Sequence, residues 1–274
     1  MFLEFKDLIK DCNINKGDTV LLVSDITNLI ILYKKRGKYF NVNSFIDSIL
    51  ETIGEKGTLL IPTYNWDFLK GITYDYYKTP SMTGSISKIA LKRDDFKRTT
   101  NPIYSFAVFG KDKKFYCNLQ NSSCFSEDSP YYYLYKNNAK YFSINLDYKN
   151  LGFAHVHFVE EIVGVSYRYF KYFSGDYIDQ NNMKKKVTYK YYVRDPAKVV
   201  RTGIRNETDD LLMNIKAYSK YYINNEFFSV IELKKALDLM IEDMKNNPED
   251  KRLVYPIRKG AIGRSKINQF NWSD

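Results

Sequence analysis

The alternation of short apolar runs with amphipathic segments over the first half of the chain is the feature that most constrains its fold. Apolar runs bounded by turn residues, which are typical of buried strands, occupy residues 17–24, 58–62, 104–109 and 139–145. Segments that predict helices occupy residues 2–12, 44–54, 84–92 and 129–136. Strands that alternate with helices predict a three-layer α/β fold, in which helices flank a largely parallel or mixed central sheet.

The second half of the chain has a different pattern. Residues 167–173 and 187–193 alternate Tyr, Lys and Arg with apolar residues, as a hairpin exposed on one face would. Two helices are predicted over residues 207–222 and 230–246. Without an internal repeat or a long linker, the 274 residues are expected to form one domain. Residues 1–164 would form its core, and residues 165–274 a C-terminal subdomain of a β-hairpin and helices.

Composition predicts a globular, cytoplasmic protein. The chain is 44% hydrophobic and 27% charged, which is ordinary globular usage. No apolar run approaches the roughly 20 residues that a membrane helix needs, and the first ten residues lack the apolar core of a signal peptide. The cysteines Cys12, Cys117 and Cys124 are few and odd in number, which suits reduced thiols.

The net charge of +10, from 42 Lys and Arg against 32 Asp and Glu, favours anionic partners. An AT-rich coding bias would raise the Lys, Asn and Tyr content equally well. Lysines 184–186, amid tyrosines, could bind nucleic acid, although a solvated hairpin face explains them more simply. A basic, non-enzymatic nucleic-acid-binding protein therefore stays open as an alternative.

The histidines of the chain, His155 and His157, lie two residues apart in a segment with an apolar stripe at helical spacing. On a helix, His157 faces Glu160 and Glu161 at positions i+3 and i+4. A carboxylate one turn away can orient an imidazole and support its protonated form, as a general base requires. A histidine that pairs with acids on a solvated helix face would show the same spacing.

A metal site is the competing interpretation of this segment, because His-x-His-x₃-Glu resembles a cupin ligand run. It needs strand geometry, since only there do residues i and i+2 share a face. It also needs a further histidine, which the chain lacks. We therefore expect no metal, and we expect the three cysteines to be inert thiols rather than nucleophiles.

Short motifs occur in a recognisable order along the first 164 residues: residues 17–24 (GDTVLLVS), 57–63 (GTLLIPT), 81–84 (SMTG), 98–102 (RTTNP), 129–131 (SPY) and 157–160 (HFVE). Together they resemble the aminoglycoside 3-N-acetyltransferase family, which transfers acetyl from acetyl-CoA to an amine. The order of the motifs carries the resemblance, and the similarity beyond residue 164 is only general.

The resemblance implies that acetyl-CoA lies in a cleft beside the sheet of residues 1–164, and that residues 165–274 contribute to acceptor binding. It places His157 on the catalytic histidine of the family and Glu160, with Glu161 beside it, on the partner acid. Residues implied to bind the coenzyme are Ser24, Asp25, Thr63, Ser81, Thr83, Gly84, Ser85 and Arg98. Residues implied to bind the acceptor are Tyr64, Trp66, Asn101, Tyr104 and Asp128. Backbone N–H groups of the turns at residues 24–25 and 83–85 would stabilise the oxyanion.

The chain departs from the family pattern around the acceptor. Members that act on antibiotics typically carry histidines at the positions of Val23, Asn101 and Tyr104. Because aminoglycosides are polycations and this chain is basic, we expect an anionic acceptor. A nucleotide-linked amino sugar of surface-polysaccharide synthesis, such as a dTDP-amino-dideoxy sugar for lipopolysaccharide O-antigen, fits that expectation. An aminoglycoside acceptor and a catalytically inactive relative that acts as a binding module are the alternatives.

Overall fold

A computed structural model describes residues 4–149, 152–198, 200–246 and 254–258 of the chain. The helices are α1 (Phe5–Lys10), α2 (Thr27–Lys35), α3 (Val42–Ile53), α4 (Ser85–Ala90), α5 (Lys113–Asn118), α6 (Pro130–Lys136), α7 (His155–Val163), α8 (Thr208–Asn214) and α9 (Leu233–Asn246). The strands are β1 (Thr19–Ser24), β2 (Thr58–Pro62), β3 (Tyr74–Asp75), β4 (Lys97–Arg98), β5 (Phe106–Gly110), β6 (Lys140–Ile144), β7 (Arg168–Ile178), β8 (Lys184–Arg194), β9 (Val200–Ile204), β10 (Tyr218–Ile223), β11 (Glu226–Glu232) and β12 (Val254–Arg258).

A seven-stranded mixed sheet with the order β10-β11-β6-β1-β2-β5-β4 forms the centre of the fold. β1 pairs in parallel with β2 on one side and with β6 on the other. β5 and β11 then pair antiparallel with β2 and β6, so the parallel strands lie inside an antiparallel rim. β7 and β8 form a long hairpin with β3 along its edge, and β9 pairs with β12.

Neighbouring residues of the central strands point into two separate apolar cores, as the pleat of a strand requires. Leu21 of β1 and Leu60 of β2 belong to the core that also contains buried residues of α6, α7 and α9. Val20 and Leu59 belong to the core that contains buried residues of α1, α2, α3 and α4. The sheet is therefore covered on both faces, and the predicted three-layer α/β fold is confirmed.

Local signals in the sequence account for where several helices begin and end. The side chain of Asn41 accepts a hydrogen bond from Ser44 N (3.2 Å) at the start of α3, and Gly54 ends that helix with a positive φ of 63°. Ser129 Oγ accepts from Tyr132 N (3.3 Å) at the start of α6, where Pro130 occupies the first helical position.

The prediction of a helix over residues 207–222 is wrong in its last part, and the prediction of a helix over residues 230–246 is wrong in its first part. α8 ends at Asn214, and residues 218–232 form the hairpin β10–β11 before α9 begins. The turn residues Asn224 and Asn225 both adopt positive φ (54° and 64°), as a tight hairpin turn demands. β11 completes the central sheet beside β6, so residues on both sides of Gly164 share one sheet. The prediction also missed α2.

No helix among the described residues is long and apolar enough to cross a membrane.

Arg98 is a buried brace between loops at the end of the sheet. Its guanidinium donates to Thr79 O (2.6 Å), Thr63 O (2.8 Å) and Ser105 Oγ (3.0 Å), and it packs 5.0 Å from the centroid of the Tyr74 ring. Only 3% of Arg98 is exposed, so all of these hydrogen bonds are made inside the protein. The guanidinium thus holds the loop after β2 in place.

Replacing Arg98 should therefore destabilise the protein rather than weaken coenzyme binding. We expect Arg98→Met to lower the free energy of unfolding by about 3 kcal/mol or more, because buried acceptors would lose charged donors. The exposed neighbour Lys97 supplies the control, and Lys97→Met should change stability by no more than about 0.5 kcal/mol. Urea unfolding of both variants measures this. If Arg98→Met and Lys97→Met were equally stable and Arg98→Met bound the coenzyme more weakly, the bracing role of Arg98 would be contradicted.

His155 is fully buried in an aromatic cluster on α7, and neither ring nitrogen has a hydrogen-bond partner. Burial lowers the pKa of His155 to about 3, because the charged form would lose its hydration. The stability that the neutral ring contributes is complete above the pKa of an unfolded histidine, about 6.5. It is lost as the pH falls from there toward 3.

The expected result is a steep loss of stability in acid that depends on His155. Between pH 6.5 and 4, this residue should contribute a slope of up to about 1.4 kcal/mol per pH unit. His155→Leu, which cannot take up a proton, should remove that part of the slope. Denaturant unfolding at several pH values tests the difference. Identical pH dependences for the two proteins would show that His155 does not contribute to acid unfolding.

Candidate active site

A cavity of about 380 Å³ lies at the carboxyl ends of the parallel strands β1 and β2. Ligands of open α/β sheets commonly bind at this edge. Its lining is rich in aromatic and aliphatic side chains, and comprises Leu22, Val23, Ser24, Ile61, Pro62, Tyr64, Trp66, Thr83, Ile86, Ser87, Tyr104, Tyr148, Lys149, Gly152, Phe153, Ala154, Val156, His157 and Ile204. The cavity is thus an apolar chamber with a few hydroxyl groups, one ammonium group and one imidazole.

His157 lies on α7 and presents its ring to this cavity. Its Nδ1 is 2.8 Å from Oε2 of Glu160, which is fully buried one turn further along the helix. The His157 side chain is 31% exposed, so the ring reaches the cavity while its carboxylate partner does not. A hydrogen on Nδ1 that is donated to the carboxylate leaves the lone pair of Nε2 for a ligand.

Arg168, at the first position of β7, completes the surroundings of this carboxylate. Its Nε lies 2.7 Å from Glu160 Oε2, and its Nη2 lies 3.1 Å from His157 Nδ1. Its Nη1 donates to Tyr192 O on β8 (3.0 Å). Nothing in the sequence pattern marks this residue, because the predicted hairpin alternates basic and apolar residues as on a solvated surface. Arg168 lies beyond the end of α7, so helical spacing does not predict its contact with Glu160.

Glu161, the second predicted acid, is directed elsewhere. Both of its carboxylate oxygens accept from Ser123 Oγ, at 2.7 and 2.8 Å. Burial raises the pKa of Glu161, and this hydrogen bond offsets the rise only in part. Residues i+3 and i+4 lie on either side of the line from His157 along the helix, and here the i+3 residue makes the contact. The spacing in the sequence is compatible with contact to either acid.

The residues implied to bind the coenzyme divide into two groups. Ser24 and Thr83 line the cavity. The other six residues do not line it. Thr63 and Ser81 are buried, and their hydroxyl groups contact those of Ser105 and Ser87 respectively. Three residues are exposed outside the cavity, namely Asp25, Gly84 and Ser85, and Arg98 is the brace described above.

Two of the N–H groups implied in oxyanion stabilisation are engaged. Asp25 N donates to Ile144 O (2.9 Å), and Thr83 N donates to Ser81 Oγ (3.1 Å). Both bonds are internal to the protein. These two groups are therefore not available to a ligand in this conformation.

Three of the five residues implied to bind the acceptor line the cavity: Tyr64, Trp66 and Tyr104. Asn101 instead is buried, and its Oδ1 accepts from Ile103 N (3.0 Å) and Tyr104 N (2.9 Å), which shapes the turn that positions Tyr104. Asp128 is exposed and hydrogen-bonds Ser126 near the start of α6. These two side chains are committed to local structure.

A second polar cluster borders the cavity and was not predicted. Lys149 Nζ lies 2.8 Å from Asp209 Oδ1, and Tyr148 OH donates to the same oxygen at 2.9 Å. Burial by itself would raise the pKa of Asp209, but the hydrogen bonds from Lys149, Lys220 and Tyr148 lower it below its usual range. The carboxylate thus holds Lys149 at the cavity wall. No spacing in the sequence signals a pair 60 residues apart.

The cysteines show the properties of inert thiols. All three are free and buried, and burial raises the pKa of Cys12 and Cys117 to about 12 and that of Cys124 well above its ordinary value. A thiol of this kind stays protonated at neutral pH and is a poor nucleophile. Among the residues that the structure describes, no group of three His, Cys, Asp or Glu is arranged to hold a metal ion.

Solved structures with the same fold include aminoglycoside acetyltransferases and a protein known as YokD. AAC-VIa bound to sisomicin has a TM-score of 0.72 at 13% identity, covering 90% of this chain and 99% of that chain. AAC-IIIb in a binary complex with CoASH has a TM-score of 0.71 at 10% identity, covering 88% and 95%. YokD from Bacillus subtilis has a TM-score of 0.69 at 18% identity, covering 89% and 93%.

A search of curated protein sequences finds no match to this chain. The family model of aminoglycoside 3-N-acetyltransferases, however, matches residues 36–245. That match extends past residue 164, through the hairpin β7–β8 and into α9. Since it spans well over half of the 274 residues, the chain belongs to the aminoglycoside 3-N-acetyltransferase family and is an N-acetyltransferase.

Proposed function

We propose that this protein transfers the acetyl group of acetyl-CoA to a primary amine of a sugar, with His157 as the general base. The observation that carries the proposal is the contact of 2.8 Å between His157 Nδ1 and the buried Glu160 carboxylate at the wall of the cavity. This contact orients the ring so that Nε2 can accept a proton from a bound ligand. It also stabilises the imidazolium that results.

The residues of the chain have a defined task in this reaction. Acetyl-CoA supplies an activated acetyl thioester. His157 removes a proton from the ammonium group of the acceptor, because only the neutral amine has a lone pair to form the C–N bond. As that bond forms, the C–S bond breaks, and the nitrogen, now positively charged again, loses a second proton. Of the two protons lost by the ammonium group, one passes through His157 to the departing thiolate and the other is released to water. The buried thiols of the three cysteines support direct transfer without an acyl-enzyme.

Coenzyme binding in this cavity is supported by its place and its lining. The cavity opens where β1 and β2 end, and the lining hydroxyls of Ser24 and Thr83 stand beside apolar side chains. A volume of about 380 Å³ is in the range of small-ligand sites. It suffices for the reacting thioester and amine. AAC-IIIb, which shares the fold, binds CoASH.

An aminoglycoside is the first acceptor to consider. The family to which the chain belongs is defined by acetylation of aminoglycosides, and AAC-VIa with the same fold binds sisomicin. These ligands carry several amino groups on linked rings, so His157 would need to reach only one of them. The aromatic side chains Tyr64, Trp66 and Tyr104 would pack against the ring faces.

A nucleotide-linked amino sugar is a second candidate, and the charges at the cavity favour it. Among the described residues that line the cavity, Lys149 is the one with an ammonium group, and no carboxylate is among them. A polycation is best bound by carboxylates, whereas a phosphate group gains from an ammonium group and from the net charge of +10. This candidate acceptor carries both an amine and a diphosphate.

We expect His157→Gln to lower kcat/KM by about 10²–10⁴-fold, which is the usual contribution of a general base. Glu160→Gln should cost more than Glu161→Gln, by at least about tenfold, because only Glu160 contacts the ring. Release of CoA thiol measures turnover, and thermal unfolding establishes that each variant is folded. A loss below tenfold in folded His157→Gln would mean that the histidine has a structural role.

Acceptor choice can be decided by the same thiol-release assay. The panel should pair sisomicin and gentamicin with nucleotide-linked 3- and 4-amino sugars, and should be run at two salt concentrations. Turnover of an aminoglycoside alone would support the first candidate. Turnover of a nucleotide sugar alone, with a KM that rises with salt, would support the second. If CoA binds but neither class reacts, both acceptor assignments are refuted.

A further inference from the structure

Arg168 is a charged residue that contacts the proposed base and has no role in the reaction described above. Its side chain is 5% exposed, and its three guanidinium nitrogens have separate contacts: Glu160 Oε2 at 2.7 Å, His157 Nδ1 at 3.1 Å and Tyr192 O at 3.0 Å. Tyr192 is itself fixed, since its hydroxyl donates to Val165 O (2.7 Å). The guanidinium is therefore held on the hairpin β7–β8 independently of Glu160.

We propose that Arg168 is a positioning residue for proton transfer, which holds the Glu160 carboxylate against Nδ1 and opposes premature protonation of His157. The inference rests on the proposed role of His157 as the base. It adds a third member to the pair that the sequence spacing suggested, and gives that member a charge with a definite effect.

The positions of the hydrogens follow from the distances around Nδ1. A nitrogen of an imidazole can donate one hydrogen or accept one, but not both. The 2.8 Å contact with a buried carboxylate requires a hydrogen between Nδ1 and Oε2, since two lone pairs would repel each other at that distance. Arg168 Nη2 therefore does not donate to Nδ1. The N–H groups of Nη2 and Nδ1, which both carry a partial positive charge, lie next to each other without a hydrogen bond.

The electrostatic consequence is a balance of charges beside the ring. A buried carboxylate alone favours the imidazolium, so the ring would be protonated before the acceptor binds. The positive charge of the guanidinium, 2.7 Å from that carboxylate, offsets the negative charge of the carboxylate. The hydrogen bond between Nδ1 and the carboxylate is kept. Glu160 thus fixes the tautomer, while Arg168 keeps the lone pair on Nε2 available.

The other polar groups near His157 do not supply this balance. Glu161 on the same helix hydrogen-bonds Ser123, and Lys190 of β8 acts electrostatically on Glu161. Tyr104 and Tyr191 pair through their hydroxyls (3.0 Å), and Phe125 packs at 5.8 Å from the imidazole. Lys149, also at the cavity, is held by Asp209.

Histidine NMR provides a direct test that requires no turnover. The chain has two histidines, and His155, with a pKa of about 3, does not titrate near neutrality. We expect the titration midpoint of His157 to rise by about 1–3 pH units in Arg168→Gln, where a neutral amide replaces the guanidinium. Arg168→Lys, which keeps the charge, should shift the midpoint by less than half as much. An unmoved midpoint in Arg168→Gln would overturn the proposal.

A second pair of variants keeps the test valid if Arg168→Gln does not fold, because the single change leaves Glu160 buried without its cation. In the double variant Glu160→Gln/Arg168→Gln both charges are absent. Its His157 titration midpoint should exceed that of the single variant Glu160→Gln by about as much as that of Arg168→Gln is expected to exceed that of the unmodified protein. Equal midpoints of these two variants would overturn the proposal.

Kinetics separate the proposal from the function on which it rests. In Arg168→Gln the acidic limb of the kcat/KM profile should move up with the midpoint, and kcat at neutral pH should fall about tenfold or more. KM for acetyl-CoA should change little. A raised midpoint with an unmoved acidic limb would overturn the catalytic role of Arg168. Full turnover by His157→Gln would refute the base itself, while the midpoint shift would still report the charge effect.

Discussion

Burial of β1, β2 and β6 on both faces is the constraint on which the rest of the structure depends. A parallel strand covered on both sides carries mostly apolar residues, and it must be connected through helices that supply the cover. The two apolar cores on opposite faces of the sheet are the direct result. The same topology brings the carboxyl ends of β1 and β2 to one edge, where the cavity lies.

Buried polar groups then convert this edge into a shaped site. Arg98 ties the loops after β2 to one another, and Asn101 holds the turn that presents Tyr104 to the cavity. These side chains have no open face toward a ligand. Motifs that mark the family can therefore be structural, because the loop conformation is itself what the chemistry requires. The test of such a residue is stability, not affinity.

The three positions at which a histidine is expected in antibiotic-acetylating members lie in different surroundings. Val23 and Tyr104 line the cavity, so these side chains form part of the surface that meets a ligand. Asn101 does not line it, so its effect reaches the cavity only through the turn that it supports. The result is a chamber dominated by aromatic rings, with Lys149 held in place by Asp209. Its charge and shape, rather than the proposed base, distinguish the acceptor candidates.

The sequence by itself determined the layers of the fold and the position of His157 one helical turn before an acid. Both depend on local periodicity, which the chain displays in the apolar runs around residues 17–24 and 58–62 and in the segment from residue 153 to residue 164. Only the tertiary structure decided that Glu160 rather than Glu161 contacts the ring, and that Arg168 and Lys149 belong to the site. It also decided that residues 218–223 and 226–232 are strands, since the pairing of β11 with β6 and of β10 with β11 overrides a helical pattern of apolar residues. The physical reason is common to these cases: each depends on what packs against a segment from outside it, and periodicity within one segment carries no information about those neighbours.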